Sequence, residues 1–229
     1  MESWLSSIKH IFKLDPNKPI TDEQIERLAN SGTDAIVIGG TLDITYEDTR
    51  RLLKEVRKHS VLVIQEISNM EAIVPGFDYY YIPLVLNAQN PEWIFNIHQY
   101  ALKEYGDLVN WNQVIVEGYV VLNPASSVAS LTDSKTDLDL EDLVAYARLC
   151  DQLLKLPILY VEYSGTYGEV EWIKEVRNIV HHSRIFYGGG INSLEKAKEM
   201  AHYADTIIVG NLIYEDFEQA LLTVQLKTR

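Results

Sequence analysis

Short apolar runs rich in Ile, Val and Tyr recur along the chain, and longer stretches with apolar residues spaced by three or four separate them. The short runs show little polar alternation, which is how strands of a parallel sheet, buried on both faces, read. They predict eight strands at residues 10–14, 35–38, 61–64, 79–82, 115–122, 158–161, 184–187 and 206–209. The intervening stretches carry helix-start signals in the same phase. Thr21 and Gln24 have the spacing of a capping box ahead of Ile25 and Leu28. Asn90 followed by Pro91 predicts an N-cap with proline at the first helical position. Asp139 is placed to cap a helix whose Leu140, Leu143, Val144, Ala147, Cys150 and Leu154 share one face. Cys150 sits on that stripe, so it is expected in the core and not at work as a nucleophile.

Repeated strand and helix units over 229 residues predict a TIM (β/α)8 barrel, with a doubly wound open sheet as the rival. No linker-like segment interrupts the rhythm, and the polar stretch 133–139 is short enough for a loop. The chain therefore reads as one domain over residues 1–229.

Charge narrows the function classes. Twenty Lys and Arg against 33 Asp and Glu leave a net charge of -13. Nucleic-acid binding, which rests on clustered basic residues, is not expected. Long-range attraction to an anionic membrane is not expected either. A single cysteine permits no internal disulfide and fits a reducing cytoplasm. The N-terminal segment lacks the uninterrupted apolar core of a signal peptide, and no window reaches the length of a membrane span.

In either architecture ligands gather beyond the carboxyl ends of the strands. The sixth strand runs into Tyr160-Val161-Glu162-Tyr163-Ser164-Gly165, the seventh into Gly188-Gly189-Gly190, and the eighth into Gly210-Asn211. Glycine lets the backbone approach a ligand, and amides at a helix start attract anions, so three such loops in succession point to a phosphate. After the first strand come Lys13 and Asp15, and after the second Gly39-Gly40-Thr41. A carboxylate and a hydroxyl are hard oxygen donors suited to Mg²⁺. Other readings of these residues stay open: Asp15-Pro16 as a plain turn, Lys13 as a solvated charge or a Schiff-base lysine, and Glu66 as a site acid or a loop residue. The histidines show no HExxH spacing, which disfavours a zinc hydrolase. An aromatic and apolar fourth unit, with Phe77, Tyr79, Tyr80, Tyr81, Trp93, Ile97, Tyr100 and Ala101, is core or the border of an apolar groove.

Several segments together resemble the geranylgeranylglyceryl phosphate synthase family, and in particular its bacterial heptaprenylglyceryl phosphate synthase branch. They are Phe12 to Pro16, Gly32 to Ala35 with Gly39-Gly40-Thr41, Glu71 to Asp78, Tyr160 to Gly165, Tyr187 to Ile191, and Val209-Gly210-Asn211. The resemblance implies a TIM barrel that uses Mg²⁺ to transfer a polyprenyl chain from its diphosphate to the sn-3 hydroxyl of sn-glycerol 1-phosphate. It implies glycerol 1-phosphate binding by Lys13, Tyr160, Val161, Glu162, Tyr163, Ser164, Gly165, Gly190, Gly210 and Asn211. Asp15 and Thr41 would hold the metal. Ala101 falls where the family controls chain length, and a small residue there implies the seven-isoprene (C35) donor. A homodimer is implied as well. Glu162, among the acceptor-binding residues, is the expected proton acceptor. Two rivals remain at this point: a barrel enzyme acting on FMN or a sugar phosphate, and a non-catalytic protein that binds phosphate ligands.

Overall fold

The structure is a computed structural model and describes residues 3–227. Residues 1–2 and 228–229 of the predicted domain lie outside the described residues. Eight parallel strands close into a barrel in sequence order. They are β1 (His10–Leu14), β2 (Ala35–Ile38), β3 (Leu62–Glu66), β4 (Tyr79–Val85), β5 (Val114–Val121), β6 (Ile158–Glu162), β7 (Arg184–Gly188) and β8 (Thr206–Val209). The predicted TIM barrel is observed, and the open sheet is excluded because β1 pairs with β8 through Ile11 and Ile208.

The α-helices, in chain order, are α1 (Ser3–Ser7), α2 (Asp22–Ala29), α3 (Tyr46–Val56), α4 (Asn96–Tyr105), α5 (Ser127–Thr132), α6 (Leu140–Arg148), α7 (Val170–Ile179), α8 (Leu194–Met200), α9 (Leu212–Glu215) and α10 (Phe217–Leu222). Thr21 caps α2 with the full capping box its spacing to Gln24 predicts, and Asp139 caps α6 as expected, with Asp142 completing a box. The Asn90-Pro91 signal produces a 3-10 turn, Pro91–Trp93, capped by Asn90 through the Glu92 N–H, and no α-helix follows directly because Phe95, at φ -134°, leaves the helical region. No described helix is long and apolar enough to cross a membrane.

Alternation along each strand separates two cores. Phe12, Ile36, Val63, Leu159, Val161, Ile185 and Val209 point outward and pack against the helices, together with Cys150. Ile11, Val37, Ile64, Tyr81, Tyr119, Tyr160, Phe186 and Ile208 fill the barrel. Leu5 of α1 and Ile8 join the inner cluster. The Ile8 carbonyl accepts hydrogen bonds from Arg184 and Thr206 near the amino ends of β7 and β8, so that end is plugged and the carboxyl end is left for ligands.

Candidate active site

The carboxyl ends of the strands surround a cavity of about 410 Å³. It brings together Lys13 and Asp15 from β1, Thr41 beyond β2, Tyr160, Glu162, Ser164 and Gly165 from β6, Gly190 beyond β7, and Gly210 and Asn211 beyond β8. Two expected members have side chains that turn away. Val161 packs in the outer core, and the Tyr163 ring lies over Gly168, because alternation sends 161 and 163 outward once 160 and 162 point inward.

Lys13, Glu66, Glu117 and Glu162 share the inward parity. Lys13 Nζ donates to Glu66 Oε1 at 2.6 Å, which places Glu66 in the site and Lys13 inside the barrel mouth instead of in bulk solvent. Burial alone would lower the Lys13 pKa, but the carboxylates of Glu66 and Glu162 outweigh it and raise the pKa. Lys13 is thus an ammonium suited to an anion, and a poor Schiff-base amine. Glu162 Oε1 accepts the Ser164 N–H at 2.6 Å, and its Oε2 accepts the Tyr119 hydroxyl at 3.0 Å. Burial pushes the Glu162 pKa up, Lys13 and the tyrosine hydroxyls of 160 and 119 pull it back, and the net shift is upward. That combination makes a fixed carboxylate of enhanced basicity.

Glu117, on β5, is fully buried, and neither of its oxygens has a hydrogen-bond partner among the described residues. Burial first, then the Glu66 carboxylate, drive its pKa well above the usual range, with Lys13 opposing. Glu117 thus holds its proton to higher pH than an exposed glutamate does. The sequence reading passed over it, although a glutamate in the middle of an apolar strand was the signal.

The glycine loops do what a phosphate cradle needs. Gly189 and Gly190 have φ of 133° and 58°, and a Cβ on Gly190 would lie 2.1 Å from the Tyr167 nitrogen. The β6 and β7 loops thus meet backbone to backbone, an approach only glycine permits. Lys18 and Lys196 also line the cavity and were not anticipated. Lys18 Nζ donates to Asn211 Oδ1 at 2.9 Å, and Lys196 Nζ sits 4.8 Å from the Tyr167 ring centroid. The cavity wall thus carries three lysines despite the acidic chain.

Asp15 and Thr41 face the same cavity. Asp15 Oδ1 accepts the Asn17 N–H at 3.0 Å, and a Cβ on Gly40 would lie 2.7 Å from that oxygen, so glycine here makes room for the carboxylate. One carboxylate and one hydroxyl are a donor set that fits Mg²⁺, which keeps waters and shares itself with substrate phosphates. Among the described residues no cluster of three or more His, Cys, Asp or Glu offers a denser metal cage.

A second, largely apolar cavity of about 140 Å³ opens beside the first. Pro83, Val85, Trp93, Ile97, His98 and Ala101 line it, so part of the fourth unit does border a groove. The rest does not: Phe77 and Leu84 are in the outer core, Tyr81 is inside the barrel, and Tyr100 is half exposed. Gly40, Thr41, Tyr119 and Val128 line both cavities, which therefore share a wall.

Residues 3–228 match the PcrB family. The chain belongs to this family. It is 52% identical over 221 residues to the heptaprenylglyceryl phosphate synthase of Bacillus cereus (strain G9842), and 51% identical to that of Bacillus cytotoxicus, in each case over 96% of both chains. The resemblance read from the sequence is borne out. Among solved structures, the barrel is similar to (S)-3-O-geranylgeranylglyceryl phosphate synthase from Thermoplasma acidophilum in complex with sn-glycerol-1-phosphate. That TM-score is 0.84 at 23% identity, covering 97% of this chain and 94% of that one. A thiamine phosphate pyrophosphorylase from Pyrococcus furiosus aligns with a TM-score of 0.60 at 14% identity, over 97% and 95% of the two chains. At such identities these two likenesses speak for the fold.

Proposed function

We propose that the protein is a Mg²⁺-dependent prenyltransferase that moves a heptaprenyl chain from its diphosphate to the sn-3 hydroxyl of sn-glycerol 1-phosphate. The observation that carries this reading is the shared wall. A polar, lysine-lined cavity with a phosphate cradle abuts an apolar groove, and the two meet at Thr41 and Tyr119. A phosphorylated alcohol and a hydrocarbon chain with a charged head can then meet at one point.

The glycerol phosphate enters the first cavity, its phosphate on the Gly189-Gly190 and Gly210-Asn211 loops near Lys13. Its free hydroxyl faces Glu162, whose two oxygens are held by the Ser164 amide and the Tyr119 hydroxyl. The allylic C–O bond of the donor breaks, and its electron pair leaves with diphosphate. The glycerol oxygen bonds to the allylic carbon, and its proton passes to Glu162. Asp15 and Thr41 would hold Mg²⁺, which when bound neutralises charge on the departing diphosphate.

The donor's tail supplies affinity at about 0.8 kcal/mol per buried CH₂, less the cost of ordering the chain. The 140 Å³ groove is smaller than the roughly 300 Å³ at which cavities for drug-sized ligands begin. A thirty-five-carbon chain therefore fills the groove and continues beyond it. We further infer a cytoplasmic homodimer, a reading supported by the family resemblance and by the single, buried Cys150.

The test is an incubation with Mg²⁺, glycerol 1-phosphate or its 3-phosphate enantiomer, and donors of graded length, with products identified by mass. The reading expects a heptaprenylglyceryl phosphate from the 1-phosphate. Absence of any prenylated product would contradict it.

A further inference from the structure

Helix α4 forms one flank of the apolar groove, yet it has no fully buried residue. Its attachment to the barrel therefore does not come from a deeply packed face. Among the described residues, one side chain of α4 is hydrogen-bonded to a strand: His98, whose Nε2 lies 3.1 Å from the Pro83 carbonyl oxygen.

The register of the sheet explains why that carbonyl is available. In a parallel strand the amide and carbonyl of one residue point to the same neighbour, and successive residues alternate between neighbours. The Tyr81 carbonyl accepts the Ile67 N–H, so Tyr81 points toward β3. Pro83, two residues on, points the same way. The pairing of β3 with β4 ends at Glu66 and Tyr81, however, while β4 runs on beside β5 to Val85. Pro83 thus sits on a locally unpaired edge. Proline costs nothing there as a donor, and its carbonyl is left without a strand partner. Pro83 is half-buried at the groove wall, and His98 supplies its carbonyl with a donor. Burial keeps the His98 pKa below its usual value, opposed by the bond to Pro83 and by Glu92, which fits a neutral ring carrying its proton on Nε2.

Ala101 lies three residues further along α4 and lines the same groove, so it shares a helix face with His98. We propose that His98 is a specificity-determining latch: its bond to Pro83 fixes the distance of α4 from β4, and that distance sets the width of the groove in which Ala101 admits the prenyl chain. His98 is a positioning residue that acts through the helix and touches no reacting atom. The inference rests on the prenyltransferase reading of the groove.

The experiment compares wild type, His98→Leu and His98→Gln. Leu removes the donor at similar bulk, and Gln restores an N–H donor. Two readouts are used: amide hydrogen exchange over residues 96–105, and steady-state kinetics with donors of four to eight isoprene units. For His98→Leu the latch predicts at least tenfold faster exchange in α4. It also predicts a fivefold or greater rise in KM for the heptaprenyl donor, a broader range of accepted lengths, and a KM for glycerol 1-phosphate within twofold of wild type. His98→Gln should recover at least half of the exchange protection and the length preference. Unchanged exchange in His98→Leu overturns the latch whatever the activity. Faster exchange with unaltered length preference overturns its role in specificity. If the wild-type protein transfers no prenyl chain, the reading of the groove fails and the specificity claim with it, while the exchange data still decide whether the latch exists.

Discussion

Lys13 Nζ lies 2.6 Å from Glu66 Oε1, joining a residue of the polar cavity to one that lines the apolar groove. The pair holds the ammonium on the cavity wall that also carries Gly189, Gly190 and Gly210. Its removal from one side leaves the other charge stranded at low exposure, which costs roughly 3 kcal/mol for a buried pair. Lys13→Met should therefore lower stability by about that amount and raise the KM for glycerol 1-phosphate. The double variant Lys13→Met/Glu66→Gln should regain stability and not affinity. Denaturant unfolding and acceptor titration measure the two effects separately, and a double variant that regains both would refute the assignment.

Glu162 is held between the Ser164 amide and the Tyr119 hydroxyl and has a raised pKa. A base must be ionised to act, so activity falls as pH drops through that pKa. The upward shift places the acid limb of the kcat profile above the range of an exposed glutamate. Glu162→Gln should reduce single-turnover rates by about 10² to 10⁴ and abolish that limb, with glycerol phosphate binding kept within a few fold. Rapid-quench measurements across pH check both, and a variant turning over at the wild-type rate would remove Glu162 from the chemistry.

Glu117 titrates at higher pH in the folded protein than in the unfolded chain. Between those two pKa values the native state binds more protons than the unfolded state, so stability falls as pH rises, by about 1.4 kcal/mol per unit at full slope. Glu117→Gln lacks this dependence. Its margin over wild type should widen as pH rises above the range in which an unfolded glutamate titrates. Equal slopes for the two proteins in urea unfolding would show that Glu117 is ionised and paired.

Ala101 lines the groove together with Val85 of β4 and Leu131 of α5. A tryptophan there should block the far end, so Ala101→Trp shifts the preferred donor toward fewer isoprene units while acceptor KM stays constant. Competition between donors of different length, read by product mass, reports the shift. An unaltered preference would place the tail elsewhere.

The barrel was legible because parallel strands buried on both faces leave plain Ile and Val runs, and because Thr21 and Asp139 set helix starts by local bonds alone. Strand ends were less so. Gln65-Glu66, Glu162 and Gly188 extend β3, β6 and β7 past their expected ends, because a polar residue or a glycine after an apolar run gives no sign that it still belongs to the strand. Asn90-Pro91 failed as an α-helix start because the chain leaves helical geometry at Phe95, φ -134°, so the capped turn is not continued. The Lys13–Glu66 pair spans 53 residues and exists only once the barrel curves β1 and β3 around one mouth, so no local pattern encodes it. The outward turn of Val161 and Tyr163 was readable from strand parity, which separates the Tyr160 to Gly165 segment into two faces.

The central claim is that a phosphate cradle, a metal-binding edge and a hydrocarbon groove meet at one mouth. A crystal structure with Mg²⁺, glycerol 1-phosphate and a non-hydrolysable heptaprenyl diphosphate analogue tests it most directly. The account predicts the acceptor phosphate against Gly189-Gly190 and Gly210-Asn211, the diphosphate beside Asp15 and Thr41, and the chain running past Trp93 and His98 to Ala101. A prenyl chain leaving the mouth on any other side, or an acceptor phosphate away from the glycine loops, would contradict it.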